Sequence, residues 1–182
     1  MIPYQLVLIT TFMLLCHIPA KNSVDKIDRA NKNDCRIEFT IDNAGIEVVG
    51  VIDSADVQII RKGNTITFIA GTAYPKTIHT GIAIRDKHLQ RSDYFDVAKF
   101  PAIQIASHKI DNIGRNKFVG VFDLTLKGIT KRISVPFHCT QNATALEYKG
   151  TFEINRLDFS LGEESMILNN KVAISVMIRV HS

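Results

Sequence analysis

Arg85, Asp86, His88 and Asp93 crowd into one short stretch with Lys87, Arg91 and Asp96, and Leu89, Tyr94 and Phe95 stand among them. A guanidinium, an imidazole and carboxylates at this spacing could hold a ligand head group or a metal ion. An Arg-Asp pair beside a turn, however, more often forms a salt bridge or caps a helix. Arg156 is the second candidate, a forked donor suited to a diphosphate or a carboxylate, with Asp158 nearby equally able to satisfy it. Other catalytic signals are thin. His17, His79, His88, His108, His138 and His181 show no HExxH spacing, and Cys35 and Cys139 lie too far apart in sequence for a zinc framework. Neither GxSxG, a P-loop nor GxGxxG occurs, so the usual nucleophile and phosphate-binding apparatus is missing. Asn142-Ala143-Thr144 matches a glycosylation sequon, which matters only in a host that modifies such sites.

The cluster interrupts a chain otherwise written in period 2. Along 116–127, Phe118, Gly120, Phe122, Leu124 and Leu126 share one face, while Lys117, Asp123, Thr125 and Lys127 take the other. Similar alternation runs through 132–139, 146–155 and 171–180, and turn residues punctuate the gaps at Lys62-Gly63-Asn64, 112–114 and Gly128. Strands are expected over 35–41, 46–52, 56–60, 65–70, 77–84, 102–107, 116–127, 132–139, 146–155 and 171–180, mostly antiparallel. So much sheet curls into a barrel or splits into a sandwich, and long strands without a long helical pattern between them suit an up-and-down barrel. Residues 86–97 read as a short helical insertion ended by Pro101, its apolar members plugging or lining one end of the barrel. Phe39, Ile41, Phe68, Phe118, Phe122, Leu124, Phe137, Phe152 and Ile154 are expected to face inward. With Arg156 they are the candidate ligand contacts, although an inward aromatic is more often plain core.

At 182 residues, 46% hydrophobic and 22% charged, the chain has the size and composition of one globular domain with a substantial core. The net charge of +4 comes from 22 Lys and Arg scattered among 18 Asp and Glu without a basic block, so no nucleic-acid partner is expected. Residues 1–20 carry no charged side chain, and 6–16 has the length of a signal-peptide apolar region, with Ile18-Pro19-Ala20 as a cleavage site. That predicts a periplasmic or secreted protein. The absence of a Lys or Arg ahead of the apolar run leaves a retained anchor as the alternative. Lipid attachment at Cys16 is disfavoured by bulky Leu14 and Leu15. Residues 21–34 read as a short N-terminal extension and 35–182 as the barrel. Cys35 and Cys139 both fall on apolar faces, where they could form a disulfide in an oxidising compartment or pack as free thiols.

The run TIHTGIAIRDKHL over 77–89, followed by SDYFDVAKFP over 92–101, resembles the central signature of the YceI-like family of lipocalin-like, polyisoprenoid-binding proteins. FDLTLKGITK over 122–131 resembles that family's second signature and INRLDF over 154–159 its third, in the same order, and the likeness extends from about Arg36 to Val180. It implies an exported, all-β, extended antiparallel eight-stranded barrel whose interior holds a long amphiphilic isoprenoid, without cofactor or catalysis. Such a barrel is just wide enough for a slender ligand, and its interior stabilises an apolar tail by about 0.8 kcal/mol per CH₂. Two departures bear on the mouth and the head group. Asn43-Ala44-Gly45 stands where the family often has a His in the first hairpin, and Ser160 where a Gly often follows the Asp-Phe pair.

The expected function is therefore to carry or sequester an isoprenoid-like lipid, such as a quinone precursor or polyprenyl carrier, with transient membrane contact. An apolar rim at the barrel mouth could also be covered by a second copy in a homodimer. The alternative is a β-sandwich interaction module of the cell envelope, binding protein or glycan on an outer face and marked by a solid interior. An enzyme on the same scaffold is a weaker reading that requires clustered polar groups inside the barrel.

Overall fold

A computed structural model describes residues 25–181 apart from 31 and 33; the expected signal segment at 1–20 lies outside the described residues. The strands are β1 (Asp25–Ala30), β2 (Cys35–Asn43), β3 (Ile46–Ile52), β4 (Ala55–Lys62), β5 (Thr65–Ala73), β6 (Ile78–His79), β7 (Ile103–Gly114), β8 (Lys117–Leu126), β9 (Ile129–Gln141), β10 (Ala145–Asn155) and β11 (Lys171–His181). A single helix, α1 (Ala83–Leu89), and two 3₁₀ turns, Pro75–Thr77 and Arg156–Phe159, complete the described elements.

All eleven strands belong to one antiparallel sheet in the order β1-β4-β5-β7-β8-β9-β10-β11-β2-β3-β6. Its two lateral ends come together because β1 lies against β11 and β2 against β4, by packing rather than by a ladder. The result is a lipocalin-like barrel with one unpaired seam, not a sandwich of two sheets. Its strands outnumber the eight that the resemblance implies. Two of them, β1 and the two-residue β6, are the outermost in the sheet, and β1 starts the barrel upstream of the expected boundary at Cys35.

Side-chain alternation places the wall. On β8, Phe118, Phe122, Leu124 and Leu126 are buried at every second position, as the 116–127 pattern requires. Strict alternation breaks at bulges in β5 and β7, and one expected strand ends early. Opposite Ile60 and Arg61 of β4 the register slips, so that Thr67 bulges out of β5 and the inward positions become Ile66 and then Ile69. The expected strand over 77–84 stops at His79 instead, because Gly81 turns with φ of +80°. The helix then starts at Ala83, ahead of the expected 86–97, and residues beyond Leu89 tighten into successive turns closed by bonds such as Phe95 N–H to the Leu89 carbonyl, 3.0 Å.

The interior is apolar at both ends. Ile59, Phe118, Phe122, Phe137 and Tyr148 pack together at the end away from α1. Leu124, Leu126, Ile154, Phe159 and Leu161 pack at the other, where Tyr94 and Phe95 from the turns after α1 join them.

Candidate functional site

Because alternate residues of every wall strand point inward, the barrel encloses a cavity of about 540 Å³, within the roughly 300–1,000 Å³ of small-molecule pockets. Eight of the ten candidate contacts line it: Phe39, Ile41, Phe122, Leu124, Phe137, Phe152, Ile154 and Arg156. Phe68 and Phe118 do not. The bulge at Thr67 turns Phe68 off the inward face that strict alternation assigns it. Phe118 is buried, but its ring stacks on Phe137 at 5.2 Å and 14° and faces a separate surface recess. Much of the remaining lining is aliphatic, including Ile37, Ile69, Ile105, Ile174 and Val176. These obey the same period-2 rule as the candidate contacts.

Glycines let the rings lie flat against the wall. A Cβ on Gly120 would stand 2.2 Å from Phe122 Cε2, and one on Gly50 would stand 2.2 Å from Phe39 Cζ. Both rings would otherwise swing into the cavity and shorten it.

The cavity opens beside α1. Thr80, Arg85, His88, Glu163 and Ser165 border it there. Within this rim the charged cluster is tied to itself. Arg85 donates from Nε to Thr80 Oγ1 at 2.7 Å and from Nη2 to the Thr80 carbonyl at 2.8 Å. Asp86 Oδ1 accepts from both the Thr80 amide, 2.8 Å, and the Thr80 hydroxyl, 2.6 Å. The Arg-Asp pair thus pins the turn that launches the helix. His88 bonds Asp93 at 2.6 Å with Tyr94 edge-on to its ring. Desolvation pushes the Asp93 carboxyl up, but the His88 hydrogen bond and nearby positive charge outweigh it and hold the group below its ordinary value. Among the described residues no group of three or more His, Cys, Asp or Glu is placed to hold a metal ion.

Arg156 is 1% exposed and spends its fork on the protein itself. It donates from Nε to the Asn169 carbonyl at 3.0 Å, from Nη1 to Leu161 at 2.9 Å and from Nη2 to Leu168 at 3.3 Å. Its expected diphosphate, carboxylate or Asp158 partner is replaced by three backbone carbonyls, because residues 161–169 fold back over the guanidinium. Arg156 is a clamp on the segment that walls the mouth opposite α1.

At the far end Tyr148, 3% exposed, lines the cavity, and its hydroxyl is buried beside Cys139. Buried Asp28 of β1 accepts from Nε of Arg61 on β4 beside it. Tyr148 belongs to the alternation of Phe152 and Ile154 and was legible as inward. Asp28 lay in the presumed extension, and nothing in sequence pairs it with Arg61. Desolvation, followed by Asp34 and Asp56, pushes the Cys35 thiol up to about 11, and desolvation also raises Cys139. Both are free. Cys139 pairs with Tyr148, Tyr148 with Ile178 and Ile178 with Cys35 across four neighbouring strands. Three strand spacings are about 14 Å along the sheet, whereas a disulfide needs Cα atoms within about 7 Å.

Comparison with known proteins agrees with this architecture. The YceI-like domain model matches residues 26–181. A UPF0312 protein of Shewanella denitrificans is 25% identical over 122 residues, 65% of this chain and 64% of that protein. The chain thus covers less than two thirds of the length of the first curated relatives it matches. BcnA of Burkholderia cenocepacia superposes with a TM-score of 0.78 at 18% identity, covering 82% of this chain and 98% of BcnA. A polyisoprenoid binding domain from Saccharophagus degradans, implicated in plant cell wall breakdown, gives a TM-score of 0.69 at 14% identity over 86% of this chain and 99% of that domain.

Proposed function

The chain belongs to the YceI-like family, and from that premise we propose that it holds a long isoprenoid-like lipid in its barrel as a carrier or sequestering protein. The observation that carries this reading is the apolar cavity of about 540 Å³ running along the barrel interior. A solid interior would have favoured the surface-interaction module instead. Each CH₂ drawn from water contributes about 0.8 kcal/mol, so a tail of several prenyl units is held without any bond-making chemistry. The work is binding rather than catalysis, and the lipid is ligand rather than cofactor. A polyisoprenoid-binding neighbour of the same fold supports the ligand class.

The mouth supports exchange with a membrane. Ile84 is 83% exposed at the start of α1, and Met166 is fully exposed on the segment opposite. Ile46 and Ile167 are exposed too; Ile167 also lines the cavity, and its carbonyl accepts from the Ala44 amide beside the hairpin that carries Ile46. Apolar side chains around an apolar opening can dip into a lipid surface. The uncharged run at 1–20 supports a periplasmic or secreted location. Native mass spectrometry with organic extraction, on protein purified without detergent from a membrane-containing host, is the test. A discrete added mass that extracts as an isoprenoid is expected. Bare protein that takes up neither prenyl nor acyl lipids sinks the reading.

A further inference from the structure

Two aromatic rings of the cavity lining each lie over a glycine, and the two pairs stand at opposite ends of the barrel. Phe122 leans back along β8 over Gly120, which precedes it on the same inward face. A Cβ on Gly120 would collide with Cε2 of that ring and would also stand 2.7 Å from Cζ and 3.1 Å from Cδ2. Phe39 of β2 lies over its register partner, Gly50 of β3. A Cβ there would collide with Cζ and would stand 2.6 Å from Cε1 and 2.8 Å from Cγ2 of Thr80 at the rim. Phe122 packs with Ile59, Phe118, Phe137 and Tyr148 at the end away from α1, whereas Phe39 packs near Leu89 and Phe95 beside α1. Both rings are the far ends of side chains that can turn about χ1, so they are what must yield to an added Cβ. Behind Phe122 the wall is filled, with Ile110 of β7 and Val135 of β9 on either side of Gly120, and the ring is only 4% exposed. Its open side is the cavity.

We propose that Gly120 and Phe122 together set the length of prenyl tail that the barrel accepts, an inference that rests on the lipid-binding reading above. With no Cβ at position 120 the ring stays flat on the wall and the cavity keeps its full depth. A side chain there turns the ring into the cavity and shortens it by the bulk of a phenyl group, which is close to that of a prenyl unit. The polar groups Thr80, Arg85, His88 and Glu163 border the mouth, so the apolar tail is the part of the ligand that reaches Phe122. Gly50 and Phe39 act differently. They stand near the mouth and set a width that every tail must cross, whatever its length.

The test measures the affinity of delipidated protein for a graded series of prenyl alcohols: geraniol, farnesol, geranylgeraniol, geranylfarnesol and solanesol. In the wild type each CH₂ that finds wall raises affinity by roughly fourfold until the tail spans the cavity, after which affinity levels off. Gly120→Ala levels off about one prenyl unit sooner, and Phe122→Leu, which takes the ring away, levels off later. The double variant Gly120→Ala/Phe122→Leu returns toward the wild-type limit, because the shorter leucine clears the new methyl group. Gly50→Ala weakens the whole series by a similar factor and leaves the limit where it was. A limit at the same tail length in wild type, Gly120→Ala and Phe122→Leu overturns the proposal, as does a wild-type affinity that still climbs through solanesol. If Gly120→Ala does not fold, Phe122→Leu decides alone, and an unmoved limit there overturns the proposal. Wild-type protein that binds no member of the series overturns the lipid-binding reading itself, whereas binding whose length limit the variants do not move overturns only the role of Gly120 and Phe122.

Discussion

Arg156 has carbonyl oxygens for neighbours, and that decides how its loss is felt. Replacing it with Met leaves the buried Leu161 carbonyl and the part-buried carbonyls of Leu168 and Asn169 without their donor. Each unsatisfied group costs about 1–3 kcal/mol, so Arg156→Met is expected to lower unfolding free energy by roughly 3 kcal/mol or more in urea titration. Arg156→Lys, keeping a donor but not the fork, recovers part of that loss. If Arg156→Met unfolds at the wild-type urea midpoint, the clamp is not structural. Position and role were unequally legible here. That Arg156 ends an inward-facing strand follows from alternation, but its partners come from a loop whose return path no periodicity encodes. Tyr148 and Asp28 divide in the same way, the first visible by period and the second only once β1 pairs with β4.

Outer-face ion pairs within and between neighbouring strands set the response of the elements to acid. Lys149 and Arg179 flank Glu147 on β10, and Arg132 of β9 bonds Asp123 of β8 at 2.9 Å. The Lys149 hydrogen bond, then that of Arg179, holds Glu147 below the ordinary range, and the Arg132 hydrogen bond does so for Asp123. A carboxyl depressed in the folded state contributes stability above its unfolded pKa, and that contribution is lost as pH falls through the folded value. The urea midpoint should therefore hold from neutrality to about pH 4, near the unfolded carboxylate range, and drop below it, less steeply at high salt because these pairs are screened. A midpoint already falling between about pH 7 and 5 would point to other groups. Long regular strands such as β8 were legible because every second residue is buried. The β5 bulge and the stop at Gly81 were not, since a bulge costs one residue and leaves composition untouched. Phe68 was misplaced for that reason.

At the scale of the whole molecule, the barrel must both hide a lipid and release it, and the two demands fall on different surfaces. Affinity resides in the interior lining, whereas access depends on the rim formed by Ile46, Ile84, Met166 and Ile167 around the opening. Ile84 and Met166 are exposed almost without contact, so their change to Ser disturbs little packing while removing apolar surface from the face that meets a bilayer. The paired variant is expected to take up ligand from vesicles several-fold more slowly, with an equilibrium affinity for dispersed ligand within about twofold of wild type. Stopped-flow transfer from labelled vesicles reads the first quantity and direct titration the second. Equal rates would separate loading from this rim and place it at the seam where β1 meets β11, the other break in the wall. The seam is held by packing without a ladder, so among the described residues it is a line along which the barrel can part without breaking strand hydrogen bonds.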